Sequence, residues 1–155
     1  MLMKGKNQLL KPLMHGIIIV CTIAVFAVAG CNNERVSSKE TKLLYRAINK
    51  DDTANLNVIL KDKEFYGQYE INYHGDFKDS GDVNGIVKGD TLLGTYHYQH
   101  YGIQEWYRIP IALLKKNHKL MMGVGSMEIY MNMTFFTKSI PIDYQHPMFI
   151  FEKVH

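Results

Sequence analysis

Acidic residues are missing from the first 33 positions, and cysteine and proline are scarce throughout: the 155 residues include two cysteines, four prolines and a single tryptophan. Both cysteines, Cys21 and Cys31, lie near the N-terminus. A disulfide framework for the rest of the chain is excluded, so its stability must come from packing and sheet hydrogen bonds. No P-loop, no His-Glu-x-x-His and no Gly-x-Ser-x-Gly occurs. Ser80, Ser126 and Ser139 have no histidine beside them that would flag a nucleophile. The apolar run Ile17 to Ala29 has 13 residues, short of the roughly 20 that a membrane-spanning helix needs.

What is present begins with order. Lys4, Lys6 and Lys11 come first, then the apolar run, then Val28-Ala29-Gly30-Cys31. A basic region, a short apolar core and small residues before a cleavage point make up a secretion signal. The last four residues resemble the lipobox of bacterial lipoproteins. The resemblance implies a diacylglyceryl group on the Cys31 sulfur and cleavage between Gly30 and Cys31. It implies membrane lipid as a partner, held through acyl chains such as palmitate. Two chains give lasting attachment where one gives only marginal binding. Asn32 stands where aspartate acts as a retention signal in some bacteria, which favours an outer membrane if the host has one. The competing reading is an uncleaved anchor helix lengthened by Leu9, Leu10, Leu13 and Met14; Lys11, Pro12 and His15 interrupt it.

The implied organisation is a signal at 1–30, a lipidated tether at 31–42 and one β-rich domain at 43–155. All 15 acidic residues follow the cleavage point, together with 15 of the 18 basic ones. The processed chain is formally neutral and offers no basic excess for a nucleic-acid partner. The tether, NNERVSSKETK after Cys31, is polar and reads as a solvated spacer.

Beyond it, aromatic and β-branched residues alternate with a period of two. Leu56, Val58 and Leu60 share a face; so do Phe65, Tyr69, Ile71 and Tyr73; so do Leu92, Tyr96 and Tyr98; so do Ile109, Ile111 and Leu113. Such spacing marks half-buried strands. Val58–Tyr69 and Gly85–Tyr96 align without gaps at an offset of 27, matching Ile59 with Ile86, Lys61 with Lys88, Gly67 with Gly94 and Tyr69 with Tyr96. A third copy starts at Ala112 and needs an insertion to bring Gly123 into line. Each copy predicts a strand, a lysine-bearing turn and a returning strand. Gly89 supplies the positive φ of a tight hairpin. The glycine repeated in each return strand predicts a bend, a bulge or a close backbone approach.

The fold class expected is therefore mainly β: an antiparallel meander of about six to eight strands, either a small up-and-down barrel or an open curved sheet. Three hairpins supply six strands; the segment before Asn49 and Met148–Val154 add one or two more. Thr41–Asn49 reads as a first strand or a helical turn, and Ser139–Pro147 as a loop. Gly85, Gly89, Asp90, Thr91 and Leu92 also resemble a hairpin of small uncharacterised β-rich bacterial lipoproteins. That likeness bears on fold alone.

His97–Arg108, HYQHYGIQEWYR, is the richest stretch for chemistry. Tyr96, Tyr98, Tyr101, Glu105, Trp106 and Arg108 are its candidate ligand-binding residues, since aromatic walls with a few polar groups suit small-ligand sites. Arg108 can clamp a carboxylate or phosphate. The same residues also suit a hairpin whose aromatics merely pack. His97 and His100, three apart, fall on opposite faces of a strand, and no metal site is assigned. Asp76, Asp79 and Asp82 put three carboxylates into one loop, without the twelve-residue calcium-loop pattern. Met121, Met122, Met127, Met131 and Met133 read as core filler, or else as an adaptable apolar lining. No catalytic residue and no cofactor is assigned. The expected function is a lipid-anchored cell-envelope protein whose β domain binds a ligand or another envelope protein without catalysis. The alternatives are an envelope hydrolase using the 76–82 carboxylates or Glu105, and a structural subunit of an envelope assembly.

Overall fold

The computed structural model describes residues 39–154. The signal segment, Gly30, Cys31 and most of the tether lie outside the described residues. The rest is an antiparallel closed barrel of eight strands, with a two-stranded hairpin inserted before its last strand. Around the wall run β1 (Glu40–Asn49), β2 (Asp52–Lys61), β3 (Glu64–Tyr73), β4 (Phe77–Lys88), β5 (Thr91–His100), β6 (Trp106–Lys116) and β7 (Lys119–Met122). The inserted hairpin is β8 (Met127–Tyr130) and β9 (Met133–Phe136), and β10 (Ile150–Lys153) closes the barrel. Of the two architectures expected, the barrel is the one observed. Thr41–Asn49 is strand, not helical turn. Regular structure begins at Glu40, three residues before the expected domain start at Leu43.

The period-two pattern explains why these segments pair as they do. Leu56, Val58, Phe65, Tyr69, Val83, Tyr96, Ile111, Leu113 and Phe151 are almost wholly buried inside the barrel. Their neighbours Asn55, Asn57, Gln68, Glu70, Asp82 and Asn84 alternate with them along the strands and so face outward. A one-residue slip would exchange the two sets, so the pattern fixes the register. Apolar inside and polar outside is the reverse of a membrane-spanning barrel, whose outward band is apolar.

The three predicted hairpins are all present, turning at Asp62-Lys63, Gly89-Asp90 and Asn117-His118. The repeat holds at the level of rungs. Val58 pairs with Gly67, Gly85 pairs with Gly94, and the Gly123 amide donates to the Ala112 carbonyl. A Cβ on Gly94 would lie 2.0 Å from the Asn84 carbonyl oxygen and 2.8 Å from Phe65 Cζ. The close approach expected at the repeated glycine is thus a backbone crossing capped by an aromatic ring: Phe65 lies over Gly85 and Gly94. Two adjacent strands without side chains leave room for one large ring.

The seam is β10. It pairs with β1 through Tyr45 and Arg46 and with β7 through Leu120 and Met121. Between β7 and β10 the chain leaves the wall. Pro110 and Ala112, on the outward face of β6, are nonetheless buried, because β9 packs beside β6. Pro110 is tolerated inside a strand for a local reason. The Lys115 amide bonds toward β5 and the Ala112 carbonyl toward β7, so by alternation the missing N–H of Pro110 faces the side where β7 has already ended.

Candidate functional site

Packed aromatic rings occupy the middle of the barrel interior. Tyr69 and Tyr96 pack tilted, with ring centroids 4.7 Å apart, Tyr69 meets Phe151 edge-on at 5.9 Å, and Tyr98 stacks on Tyr96 at 4.6 Å. Both buried phenols are partnered: Tyr96 donates to the Tyr69 carbonyl at 3.1 Å and Tyr69 to the Met122 sulfur at 3.4 Å. Burial holds the Tyr69 phenol well above the usual tyrosine range, and burial followed by the charge of Asp79 does the same for Tyr96. These groups stay neutral and act as packing.

Above these rings, at the end bearing the β3–β4 and β5–β6 connections, the interior turns polar. Asp79 is the one buried charged side chain among the described residues. Tyr73 on β3 donates to its Oδ2 at 3.0 Å, and His100 Nδ1 on β5 lies 2.5 Å from its Oδ1. Burial, then the hydrogen bond to Asp79, pushes the Tyr73 phenol far up. A carboxylate on β4 therefore ties together the rims of β3, β4 and β5. Phe77 stacks on His100 at 5.9 Å.

Of the candidate ligand-binding residues, the structure brings Tyr101 and Trp106 to one surface pocket, beside Asp82, Gln99 and His100, and separates the others. Tyr96 is core. Tyr98 points inward between Tyr96 and Tyr107. Trp106 is exposed on the outside and stacks on His97 at 4.5 Å. Arg108 is exposed on that outer face, directly across from His97. Tyr101 is in the β5–β6 loop, exposed, and Glu105 accepts from the Tyr107 hydroxyl at 3.2 Å. One strand, alternating faces, separates residues that lie close in sequence. His97 and His100 likewise part, one to Trp106 and one to Asp79.

The three carboxylates of 76–82 separate in the same way. Asp76 is exposed in the turn, Asp79 points inward, and Asp82 faces outward and accepts from the Gln68 amide. No cleft unites them, and Glu105 is on a different loop. Among the described residues, no group of three or more His, Cys, Asp or Glu is arranged to hold a metal ion.

The feature that sequence reasoning missed is the excursion between Gly123 and Phe149. Residues 127–142 fold over the outer face of β5 and β6 and enclose a groove of about 980 Å³. Its walls are Leu93 and Pro110 from the barrel and Phe135, Phe136, Ile140 and Ile142 from the excursion, with Lys88, Glu128 and Lys138 also lining it. The β8–β9 hairpin turns at Met131-Asn132, with φ of 49° and 60°. Both values are those of a tight primed turn, which glycine-free sequence hides. The core-filler reading of the methionines is corrected here. Met122 is buried, but Met127, Met131 and Met133 are exposed, Met131 at 75%. They belong to a two-stranded hairpin, too small to cover its own side chains. No protein-family model, no curated protein and no solved structure matches the chain.

Proposed function

We propose that this chain is a lipid-anchored cell-envelope protein whose barrel binds an apolar ligand or an apolar segment of a partner, without catalysis, in the groove beneath the 127–142 excursion. The observation that carries the reading is the groove itself: apolar walls, a few charged groups at hand, and a volume within the range of small-ligand sites. The filled aromatic interior and the scattered carboxylates support binding over hydrolysis. The lipobox residues Val28-Ala29-Gly30-Cys31 support anchoring through Cys31.

The test uses the full chain in detergent or vesicles with an environment-sensitive apolar dye. Dye fluorescence should rise on binding and fall back in Leu93→Asp or Phe135→Ser variants that keep their far-ultraviolet circular dichroism. A dye response unchanged by both substitutions overturns the groove as the site. Replacing Cys31 with alanine should prevent lipid attachment, read as loss of the acyl mass from the native protein. A second reading, a subunit of an envelope assembly, is favoured by the exposed apolar side chains Ile129, Tyr130, Met131 and Met133 at the tip of the inserted hairpin, since contiguous exposed apolar surface marks interaction sites.

A further inference from the structure

We infer that the barrel end from which the N-terminal tether leaves is a lysine collar that docks on anionic lipid headgroups. The inference rests on the lipid-anchored reading and adds an orientation to it.

In an up-and-down barrel, alternate turns share an end. The β2–β3, β4–β5 and β6–β7 turns therefore lie together, and Glu40 joins them, because β1 pairs Glu40 with Lys61. At that end stand Lys39, Lys42, Lys61, Lys63, Lys88, Lys115, Lys116 and Lys119. Five carboxylates accompany these eight lysines: Glu40, Asp62, Glu64, Asp90 and Glu152. The formal charge of this end is +3. The rest of residues 39–154 holds six basic and nine acidic side chains, a formal −3. A neutral domain is thus strongly polarised along its axis.

Most of these lysines are free to meet a surface. Lys61 pairs with Glu40 at 3.0 Å and Lys119 with Glu152 at 2.6 Å; the other six have no ion pair among the described residues. Juxtamembrane lysines are drawn to anionic leaflets over about one screening length, roughly 10 Å at 0.1 M salt. The tether is short enough to permit this approach. Cys31 to Ser38 is eight residues and spans at most about 29 Å fully extended, so a lipidated Cys31 keeps the collar within reach of the headgroups. The acid-rich end, with Asp51, Asp52, Asp76 and Asp79, is then turned away from the membrane.

The single tryptophan makes the orientation measurable. Trp106 is toward the far end of β6, paired with Gln99. Ile86, exposed on the outer face of β4, pairs with Leu93. Six residues of β5 separate these levels, about 20 Å. The experiment compares the native full chain with an Ile86→Trp, Trp106→Phe full chain. Both are reconstituted in vesicles with or without anionic phospholipid and carrying a dansyl headgroup acceptor. In anionic vesicles energy transfer should be several-fold stronger from position 86 than from Trp106. It should fall when salt is raised from about 0.1 M to about 1 M, which shortens screening to about 3 Å. It should fall equally in a Lys63→Glu, Lys88→Glu, Lys116→Glu variant whose circular dichroism is unchanged. Equal transfer from both positions in anionic vesicles, or the same preference without anionic lipid, overturns the collar while leaving the anchor intact. A soluble polyphosphate that protects the collar lysines from acylation when vesicles do not would also overturn it, by assigning the end to an anionic polymer. A chain that fails to sediment with any vesicle overturns the anchored reading, and the orientation with it.

Discussion

Raising the pH should unfold this barrel through its own tyrosines. Tyr69 and Tyr96 are each 1% exposed, and burial lifts both phenols above their ordinary value of 10.0. Below pH 10 the folded and unfolded chains both keep these protons, so stability does not depend on them. Above pH 10 the unfolded chain sheds two protons that the folded chain retains. The folded state then binds more protons, and stability falls as pH rises. The slope is about 1.36 kcal/mol per pH unit for each phenol, so about 2.7 kcal/mol per unit for the pair. Tyr73, partly buried at the rim, adds less because water screens it. Against a total stability of roughly 5–15 kcal/mol, unfolding is expected within a few pH units of 10. The assay follows tyrosinate absorbance and near-ultraviolet circular dichroism together. The buried phenols of Tyr69 and Tyr96 should ionise only as the dichroism collapses. Tyr69→Phe, which gives up only a bond to sulfur, should move the collapse to higher pH. A single tyrosinate transition centred near 10 with the dichroism intact would refute the closed aromatic interior.

Three further outcomes follow from the packing. Gly94→Ala should lower stability by at least about 1–3 kcal/mol in a denaturant titration, since its Cβ meets the Asn84 carbonyl and the Phe65 ring and overpacking of that kind is costly. Asp79→Asn should cost about 1–3 kcal/mol by weakening its bonds to Tyr73 and His100, with amide exchange accelerated first at the 74–76 and 101–105 connections. Ile129→Ser and Met131→Ser, at exposed positions of the inserted hairpin, should shift stability by less than about 0.5 kcal/mol; a large loss in either would show that the hairpin packs against something and is not solvent-exposed.

The wall of the barrel was readable in advance because each of its signals is local. Period-two alternation set the inward residues of β2, β3, β5 and β6, and lysine-flanked turns set the hairpins. The candidate site was not readable in the same way. HYQHYGIQEWYR is dense in sequence, but a strand sends neighbours to opposite faces, so Tyr98 and Trp106 part company. Asp79 looked like one of three loop carboxylates, yet it is the inward member of a strand and bonds to partners six and 21 residues away. The methionine-rich hairpin offered only Asn132 as a turn residue, and Met131 beside it takes positive φ without glycine.

The lysine collar occupies an intermediate position between these cases. Each lysine-bearing turn was visible singly, and the overall charge of the processed chain, zero, argued against any basic surface. What brings the lysines together is parity. In a meander, the first, third and fifth connections lie at one end and the second, fourth and sixth at the other. Counting from the β1–β2 turn, the lysine-rich turns at 61–63, 88–90 and 115–119 are the second, fourth and sixth, while the Asp51 and Asp76 connections are the first and third. Charges that cancel in a sum are thus sorted by topology into opposite ends about as far apart as a ten-residue strand is long, some 30 Å. That separation is about three screening lengths at 0.1 M salt, so a membrane at one end feels the collar and scarcely the acids. A parity-breaking change tests the reasoning directly. Moving the lysines of the 115–119 turn to the 101–105 loop leaves net charge and composition as they are, yet should weaken the preference of the tethered end for anionic vesicles. An unchanged preference would mean that net composition governs the attraction, whatever the placement of the charges.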